Sequence, residues 1–194
     1  MTLTFKPVTT LLSWAWKKYP LSPVRTKQGL QIQFEMQSQI MTLWCWAAAA
    51  SSVSFYLDRK YPVTQKQIVA QQHGFDEKAE LDDEWNKEGH LREALEFVLC
   101  LASIEIGPVS FRSVIWELGN GRPVLGQIEW DDGSGHAIAL SGCRIDDDDN
   151  EYYTVEDPGV DPSVWERENP TQWVLANYWD VPGEWTHTFF VKAP

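Results

Sequence analysis

The stretch QIMTLWCWAAAA, from Gln39 to Ala50, sets a cysteine between two tryptophans and follows it with four alanines. The alanine-rich segment continues with apolar residues at helical spacing, so it predicts a helix over Ala47–Leu57. Cys45 then lies at the first turn, where backbone N–H groups and the helix dipole favour a thiolate. Cys45 is therefore a candidate nucleophile, but most free cysteines are small buried apolar residues, and this position alone does not decide between the two roles.

Further helices are predicted downstream of this stretch. A capping-box pattern at Thr64 precedes QKQIVAQQH, and Gly74 follows as a helix C-cap. The segment His90–Ala102 has one continuous apolar face, and Ser110 begins a helix that runs to Gly119. Residues 76–90, which follow the helix that ends at Gly74, are polar and irregular. We interpret them as a solvent-exposed loop rather than a specific site.

The second half of the chain changes to short β-branched and aromatic segments, which are typical of strands. These segments are RPVLGQIEW, GHAIALSGCRI, EYYTVED and WTHTFFVKA. Asp146–Asn150 joins the second to the third as a hairpin turn, and its spacing does not match a calcium-binding EF-hand loop. Helices followed by strands predict an α+β fold in one domain, 1–194, with an N-terminal segment (1–36), a mainly helical half (37–120) and a β half (121–194).

Composition narrows the class of partner and the compartment. A formal net charge of -12 argues against nucleic acid and against an anionic membrane surface as partners. The three cysteines, with no C-x-x-C pair, predict neither a disulfide framework nor a zinc site, and no metal or cofactor is expected. The N-terminus lacks the pattern of a Sec signal peptide, and no apolar run is long enough to span a membrane. We therefore expect a cytoplasmic protein, or one secreted without a Sec signal by a specialised secretion system.

A cysteine nucleophile needs a base beside it, and the chain offers four histidines. His73 ends a helix, His90 precedes one, and His187 lies in the last predicted strand, where each has a structural explanation. His136 differs because it follows the small-residue loop Gly133–Gly135 and opens a predicted central strand. Glycines there let a substrate approach closely, so His136 is the candidate base.

Asp157 is the candidate third residue because it ends the strand that follows the hairpin turn. Its carboxylate would accept a hydrogen bond from the imidazole and fix the tautomer of His136. A symmetric turn at Asp148 places Asp157 opposite Ala139, three residues from His136, so the contact requires an offset turn or a bulge. A simple turn role before Pro158 is the alternative.

Gln39 precedes Cys45 by six residues and is the candidate side-chain donor to an oxyanion, together with the Cys45 backbone N–H. Gln37 is the competing candidate, since it lies in the same loop.

These residues, in this order, resemble the papain-like cysteine peptidases, in which a glutamine precedes the cysteine by six positions and a tryptophan follows it. Leu43 and Trp44 depart from the usual Gly and Ser or Ala before the nucleophile, and Asp157 stands where papain has asparagine. The chain is similar to small bacterial relatives, namely the C39-like peptidases, the AvrRpt2-type effector proteases and a group of uncharacterised papain-like proteins. The last of these groups tends to carry motifs that stand here at Trp44 to Ala48, Gly121 to Val124, Gly133 to His136, Asp157-Pro158 and Trp185 to Thr188.

The resemblance implies a papain-like fold and a protein or peptide substrate. It implies acyl transfer, in which Cys45 attacks a carbonyl, His136 moves the proton, Asp157 orients His136 and Gln39 helps to bind the oxyanion. Cleavage after Gly or Gly-Gly is expected, with Trp44, Trp46 and Gly135 forming the substrate site.

The biological setting implied is a bacterial effector or toxin protease, with a possible cognate immunity or inhibitor protein. A housekeeping or peptide-maturation protease fits the same features. A glutamine deamidase or transglutaminase-type effector is the alternative reaction on the same residues. A binding module on an inactive papain fold is less consistent with a full set of candidate residues, and a peptidoglycan peptidase is less consistent with the acidic charge.

Overall fold

The computed structural model describes residues 24–26, 29–58, 60–160, 168–176, 178 and 183–194, so residues 1–23 of the predicted N-terminal segment (1–36) lie outside it. The described α-helices are α1 (Cys45–Leu57), α2 (Gln65–His73), α3 (Leu91–Phe97), α4 (Phe111–Gly119) and α5 (Thr171–Ala176). A short 3-10 helix covers Asp83–Trp85. The described strands are β1 (Val24–Thr26), β2 (Gly29–Gln31), β3 (Leu101–Ile106), β4 (Val124–Trp130), β5 (Gly135–Ile145), β6 (Glu151–Glu156), β7 (Glu168–Pro170) and β8 (Gly183–Val191).

Helix α1 is the centre of the helical half. It begins at Cys45, two residues before the predicted start, and its residues 46–54 are all buried. The alanine run explains this position, since side chains of one carbon let α2, α3 and strand β5 approach the helix closely. The burial of α1 fixes Cys45 at the edge of the core, where the helix reaches the surface.

The predicted helix over His90–Ala102 is too long. Helix α3 ends at Phe97, and Leu99 adopts a left-handed conformation with φ 61° and leaves its side chain 67% exposed. The N–H of Cys100 donates to the carbonyl of Leu95, which closes the helix as a C-terminal cap does. The next residues form β3, whose LASIEI sequence contains two β-branched isoleucines and suits a strand.

The strands form one antiparallel sheet in the order β1-β2-β5-β4-β8-β3, with β6 and β7 added beside β5. Strand β5 is central, because it pairs with β2, β4 and β6, and both α1 and α4 pack against it. The α+β prediction is confirmed, with one difference: the sheet also recruits β1, β2 and β3 from before residue 121.

The segment 76–90 is not merely the solvated loop that its composition predicts. Trp85 is buried, its main-chain carbonyl accepts a hydrogen bond from the indole of Trp44 at 2.7 Å, and Asn86 binds the loop before Cys45. Polar composition hid these contacts, because most of the segment's other side chains are exposed. No helix among the residues described is both long and apolar enough for a membrane crossing.

Candidate active site

Cys45 is the first residue of α1 and is partly exposed. Trp44 occupies the N-cap position and makes no side-chain capping hydrogen bond, and the first turn contains no acidic residue. The positive end of the helix dipole is therefore not offset by a local carboxylate. This position is chemically suited to a thiolate.

The loop before Cys45 is held by a set of short hydrogen bonds. The side-chain amide of Gln39 donates to the carbonyl of Thr42 at 2.7 Å. Asn86 accepts from the N–H of Leu43 at 3.0 Å through Oδ1 and donates to Thr42 Oγ1 at 2.9 Å through Nδ2. The 39–44 loop is thus fixed to a distant segment of chain, which gives the start of α1 a defined position.

Gln39 also ties this loop to the β half, since its backbone N–H donates to the carbonyl of Pro158 at 2.8 Å. Its amide nitrogen carries two hydrogens, of which Thr42 takes one. Gln37, the competing candidate, is committed elsewhere: its Oε1 accepts from Ser51 and Gln65, both at 3.3 Å. Of the two glutamines, Gln39 is the one bonded within the loop that leads to Cys45.

His136 is buried and lies between the two other candidate residues. Its Nε2 is 2.8 Å from Oδ1 of Asp157, so the imidazole N–H donates to the carboxylate. Cys45 lies close enough to His136 to raise the pKa of its imidazole. The structure therefore brings Cys45, His136 and Asp157 together, with a hydrogen bond between His136 and Asp157.

A β-bulge at Ser141 makes this contact possible. On the turn side of the hairpin Gly142 pairs with Thr154, whereas on the other side Leu140 pairs with Val155, so β5 contains one extra residue. Beyond the bulge Glu156 pairs with Ala139, and this register, continued by one residue, brings Asp157 opposite Ile138 rather than Ala139. Alternate residues of a strand share a face, and Asp157 is consequently on the face of His136.

Hydrogen bonds hold this bulge. The hydroxyl of Ser141 donates to the buried carboxylate of Glu156 at 2.8 Å and accepts from the Gln31 amide at 2.9 Å. A side chain at Gly142 would overlap with the amide of Gln31 and the hydroxyl of Thr154, which explains the glycine at this place. The register is thereby fixed by residues outside the candidate site.

A family model described as papain-like cysteine protease AvrRpt2 matches residues 26–168, about three quarters of the chain. The chain belongs to this family. It is therefore a papain-like cysteine protease, a hydrolase. A search of curated proteins found no match.

The histidine of this protease has an altered pKa. Burial by itself lowers the pKa of His136, but the hydrogen bonds to Asp157 and Cys45 and their negative charges outweigh it and raise the pKa to about 9. The imidazolium is thus the stable form in the folded protease at neutral pH. Such a group can carry a proton beside a thiolate and release it when the charge on sulfur is lost.

Two aromatic rings lie beside the imidazole. Trp130 is 5.8 Å from His136 between ring centroids and nearly parallel to it, at 21°; Tyr178 is 6.4 Å away at 20°. The hydroxyl of Tyr178 also donates to Oδ2 of Asp157 at 2.6 Å. Neither residue was among the sequence-predicted site residues. Trp130 follows from the β4–β5 hairpin once its turn is known, but no local pattern indicates Tyr178.

The proposed substrate walls Trp44 and Trp46 are corrected. Trp44 is 0% and Trp46 3% exposed, and their indoles donate to the carbonyls of Trp85 and Lys87. Both tryptophans support the start of α1 from inside the core and do not line a groove.

Gly135, in contrast, is exposed at the first position of β5, next to His136. The described residues include no cluster of three or more His, Cys, Asp or Glu side chains that could hold a metal ion.

Proposed function

We propose that this protease is a cysteine endopeptidase that uses Cys45 as nucleophile, His136 as general acid and base, and Asp157 as the residue that orients His136. The observation that carries the proposal is the juxtaposition of Cys45, at the start of a buried helix, with the hydrogen-bonded pair of His136 and Asp157. Each role matches a chemical property of its position. The helix dipole favours a thiolate at Cys45, the pKa of His136 is raised, and the carboxylate of Asp157 is buried.

The reaction follows in two steps. The Cys45 thiolate attacks the carbonyl carbon, and the imidazolium of His136 donates its proton to the leaving amine as the peptide bond breaks. The acyl group remains on sulfur as a thioester. His136, now neutral, accepts a proton from water, the hydroxide attacks the thioester, and the released thiolate pairs again with the imidazolium.

Gln39 supports stabilisation of the oxyanion in this scheme. One hydrogen of its amide is held by Thr42, so the second has a fixed direction. The backbone N–H of Cys45 is the other proposed donor, since the first N–H groups of a helix have no partner within it. Two fixed donors match the charge that develops on the carbonyl oxygen in the transition state.

Cleavage after Gly or Gly-Gly is the specificity we propose. Both tryptophans are buried, so another side chain must narrow the substrate site. We propose Leu43, an apolar residue of the 39–44 loop that is 39% exposed and two residues from the nucleophile. Its backbone is fixed by Asn86, so the side chain cannot easily withdraw. Gly135, at the start of β5 beside His136, leaves room for the substrate main chain.

The Leu43→Ala variant tests this specificity on a peptide panel that varies only the residue before the cut. We expect Ala and larger residues to be accepted by the variant and rejected by the wild type. Ile40→Ala is the control. It shortens an exposed apolar residue of the same loop that is farther in sequence from Cys45, and it should leave the preference unchanged. Equal cleavage of bulky residues by the wild type would contradict the proposed preference.

We further propose an effector role on proteins of a reducing compartment, either in the cytoplasm or after delivery by a specialised secretion system. Its proposed partner is a cognate immunity or inhibitor protein. The family match, which names an AvrRpt2 protease, and the three free cysteines support this setting.

The proposed activity is tested by expressing the wild type and Cys45→Ala in the same cells and mapping new protein termini by mass spectrometry. Discrete new termini with the wild type alone establish an endopeptidase, and the residues before each cut report specificity. Cys45-dependent conversion of particular glutamines to glutamates, without new termini, would instead assign the alternative deamidase reaction.

A further inference from the structure

We propose that Tyr178 is a positioning residue of the site, which acts by holding the carboxylate of Asp157 in the orientation that serves His136. The proposal rests on the Cys45, His136 and Asp157 roles given above. It adds a fourth side chain that neither the sequence motifs nor the family match assigns.

The two oxygens of Asp157 have different partners. Oδ1 accepts from Nε2 of His136 at 2.8 Å and from the N–H of Gly159 at 2.6 Å. Oδ2 accepts from the hydroxyl of Tyr178 at 2.6 Å. Because the carboxylate side chain of Asp157 is 0% exposed, no bulk water replaces the tyrosine hydroxyl if it is removed.

This division of partners fixes rotation of the carboxylate. The hydrogen bonds of His136 and Gly159 both fall on Oδ1 and leave the plane of the carboxylate group to be set by Oδ2. Tyr178 sets it from a rigid, buried ring that is nearly parallel to the imidazole. Without the hydroxyl, the carboxylate turns toward other orientations, Oδ1 spends less time aligned with Nε2, and the imidazolium is less stabilised.

Tyr178 also reaches the site from a separate part of the chain. Asp157 follows β6, whereas Tyr178 lies beyond α5, 21 residues later. The Gly159 contact is local to the Asp157 turn and forms with it. The tyrosine contact therefore makes the alignment of His136 depend on a residue that lies 21 positions after Asp157 in the sequence.

The test compares Tyr178→Phe with Tyr153→Phe. The first removes only the hydroxyl that binds Asp157. The second removes an equally buried tyrosine hydroxyl that lies outside the site, on a ring stacked on Phe111. Both proteins are checked for folding by thermal unfolding, so that a general effect of losing a buried hydroxyl is measured in the control.

The readout is the rate at which iodoacetamide alkylates Cys45 across the pH range, which needs no known substrate. We expect Tyr178→Phe to slow alkylation at pH 7 by about tenfold, the size of a lost hydrogen bond to a charged group, and the difference to vanish at alkaline pH. Tyr153→Phe should match the wild type. On a cleavable peptide, Tyr178→Phe should lower kcat and leave KM unchanged.

A double-variant cycle separates positioning from a structural role. If Tyr178 acts through Asp157, adding Tyr178→Phe to Asp157→Ala changes the alkylation rate by less than about twofold. An undiminished tenfold effect in that background, or a Tyr178→Phe rate equal to the wild type, would overturn the proposal. Because alkylation reports the Cys45–His136 pair directly, a failure of the endopeptidase assignment does not affect this result.

Discussion

The loop that carries Cys45 and the hairpin that carries His136 and Asp157 are stabilised in different ways. Cys45 is the first residue of a buried helix, and the loop before it is held by contacts within the loop and by Asn86. The His136–Asp157 contact depends on the register of two strands and on a bulge held by residues outside the site. A defect on the helical side displaces one group slightly, whereas a defect in the sheet moves a whole side chain to the other face.

The largest effect is expected from removing the nucleophile itself. Cys45→Ala should lower peptide cleavage by at least roughly a thousandfold, since the remaining groups cannot form the thioester. Cys100→Ala is the matched control because Cys100 is a buried free cysteine away from the site. Cleavage assays on both variants decide the matter, and loss of activity in the control alone would contradict the assignment.

The three cysteines should also differ in reactivity. Burial raises the pKa of Cys100 to about 11 and that of Cys143 to about 12, so their thiolates are scarce at neutral pH. Iodoacetamide at pH 7.5 should label Cys45 about a thousandfold faster than either. Peptide mapping by mass spectrometry measures this, and labelling of all three in denaturant provides the control. Equal labelling in the folded protein would place Cys45 outside a reactive pair.

Asp157→Asn tests the sheet side. The substitution keeps an oxygen that accepts from His136 but removes its charge, so we expect an approximately tenfold lower kcat/KM at neutral pH. In the wild type, burial opposes protonation of His136, yet Asp157 and Cys45 raise its pKa to about 9, so activity should decline as the pH passes 9. The variant should lose activity at lower pH. Unchanged pH profiles would show that Asp157 does not stabilise the imidazolium.

The same shift affects stability. The pKa of His136 rises from an ordinary 6.5 to about 9 on folding. The stabilisation that protonated His136 gives to the folded state is therefore fully present below pH 6.5 and is lost as the pH rises through 9. Thermal unfolding of the wild type and of Asp157→Asn over this range should show a smaller decline for the variant.

The smallest effect is expected on the helical side, from Asn86→Ala. This change removes two hydrogen bonds to the loop before Cys45, and we expect a loss of about 1 kcal/mol of stability and a roughly threefold lower kcat. Asn150→Ala, which removes a side-chain hydrogen bond to Asp146 in the remote hairpin turn, is the control. Denaturant unfolding and peptide cleavage measure both, and equal kcat values for the two variants would argue against a role of Asn86 at the site.

The parts of the fold that sequence predicted well depend on local signals. The capping box at Thr64 and the left-handed Gly74 bound α2 as expected, because each acts within one turn of helix. The alanine run gave the position of α1 to within two residues. Helix α3 was predicted too long because an apolar stripe continues past Leu99, whose backbone conformation no propensity signals.

The candidate site also combines residues that local sequence signals predict with contacts that depend on the folded chain. Cys45 and Gln39 follow from local spacing, whereas the His136–Asp157 contact required a bulge that no residue pattern in β5 announces. The buried tryptophans were assigned to a groove because their hydrogen-bond partners lie in a segment whose composition indicates solvent exposure. Tyr178 was missed because its contact with Asp157 arises only in the folded chain.

Because β5 contains a bulge at Ser141, the geometry of the site depends on the exact number of residues between His136 and the hairpin turn. Gain or loss of a single residue between His136 and the hairpin turn would leave the cysteine, histidine and aspartate all present, yet would turn the carboxylate away from the imidazole. Related chains can therefore be sorted by counting residues along this hairpin. A relative with every motif intact but an uncompensated single-residue change in β5 is expected to keep the fold and lose the reaction, which offers evolution a short route from an enzyme to a binding protein.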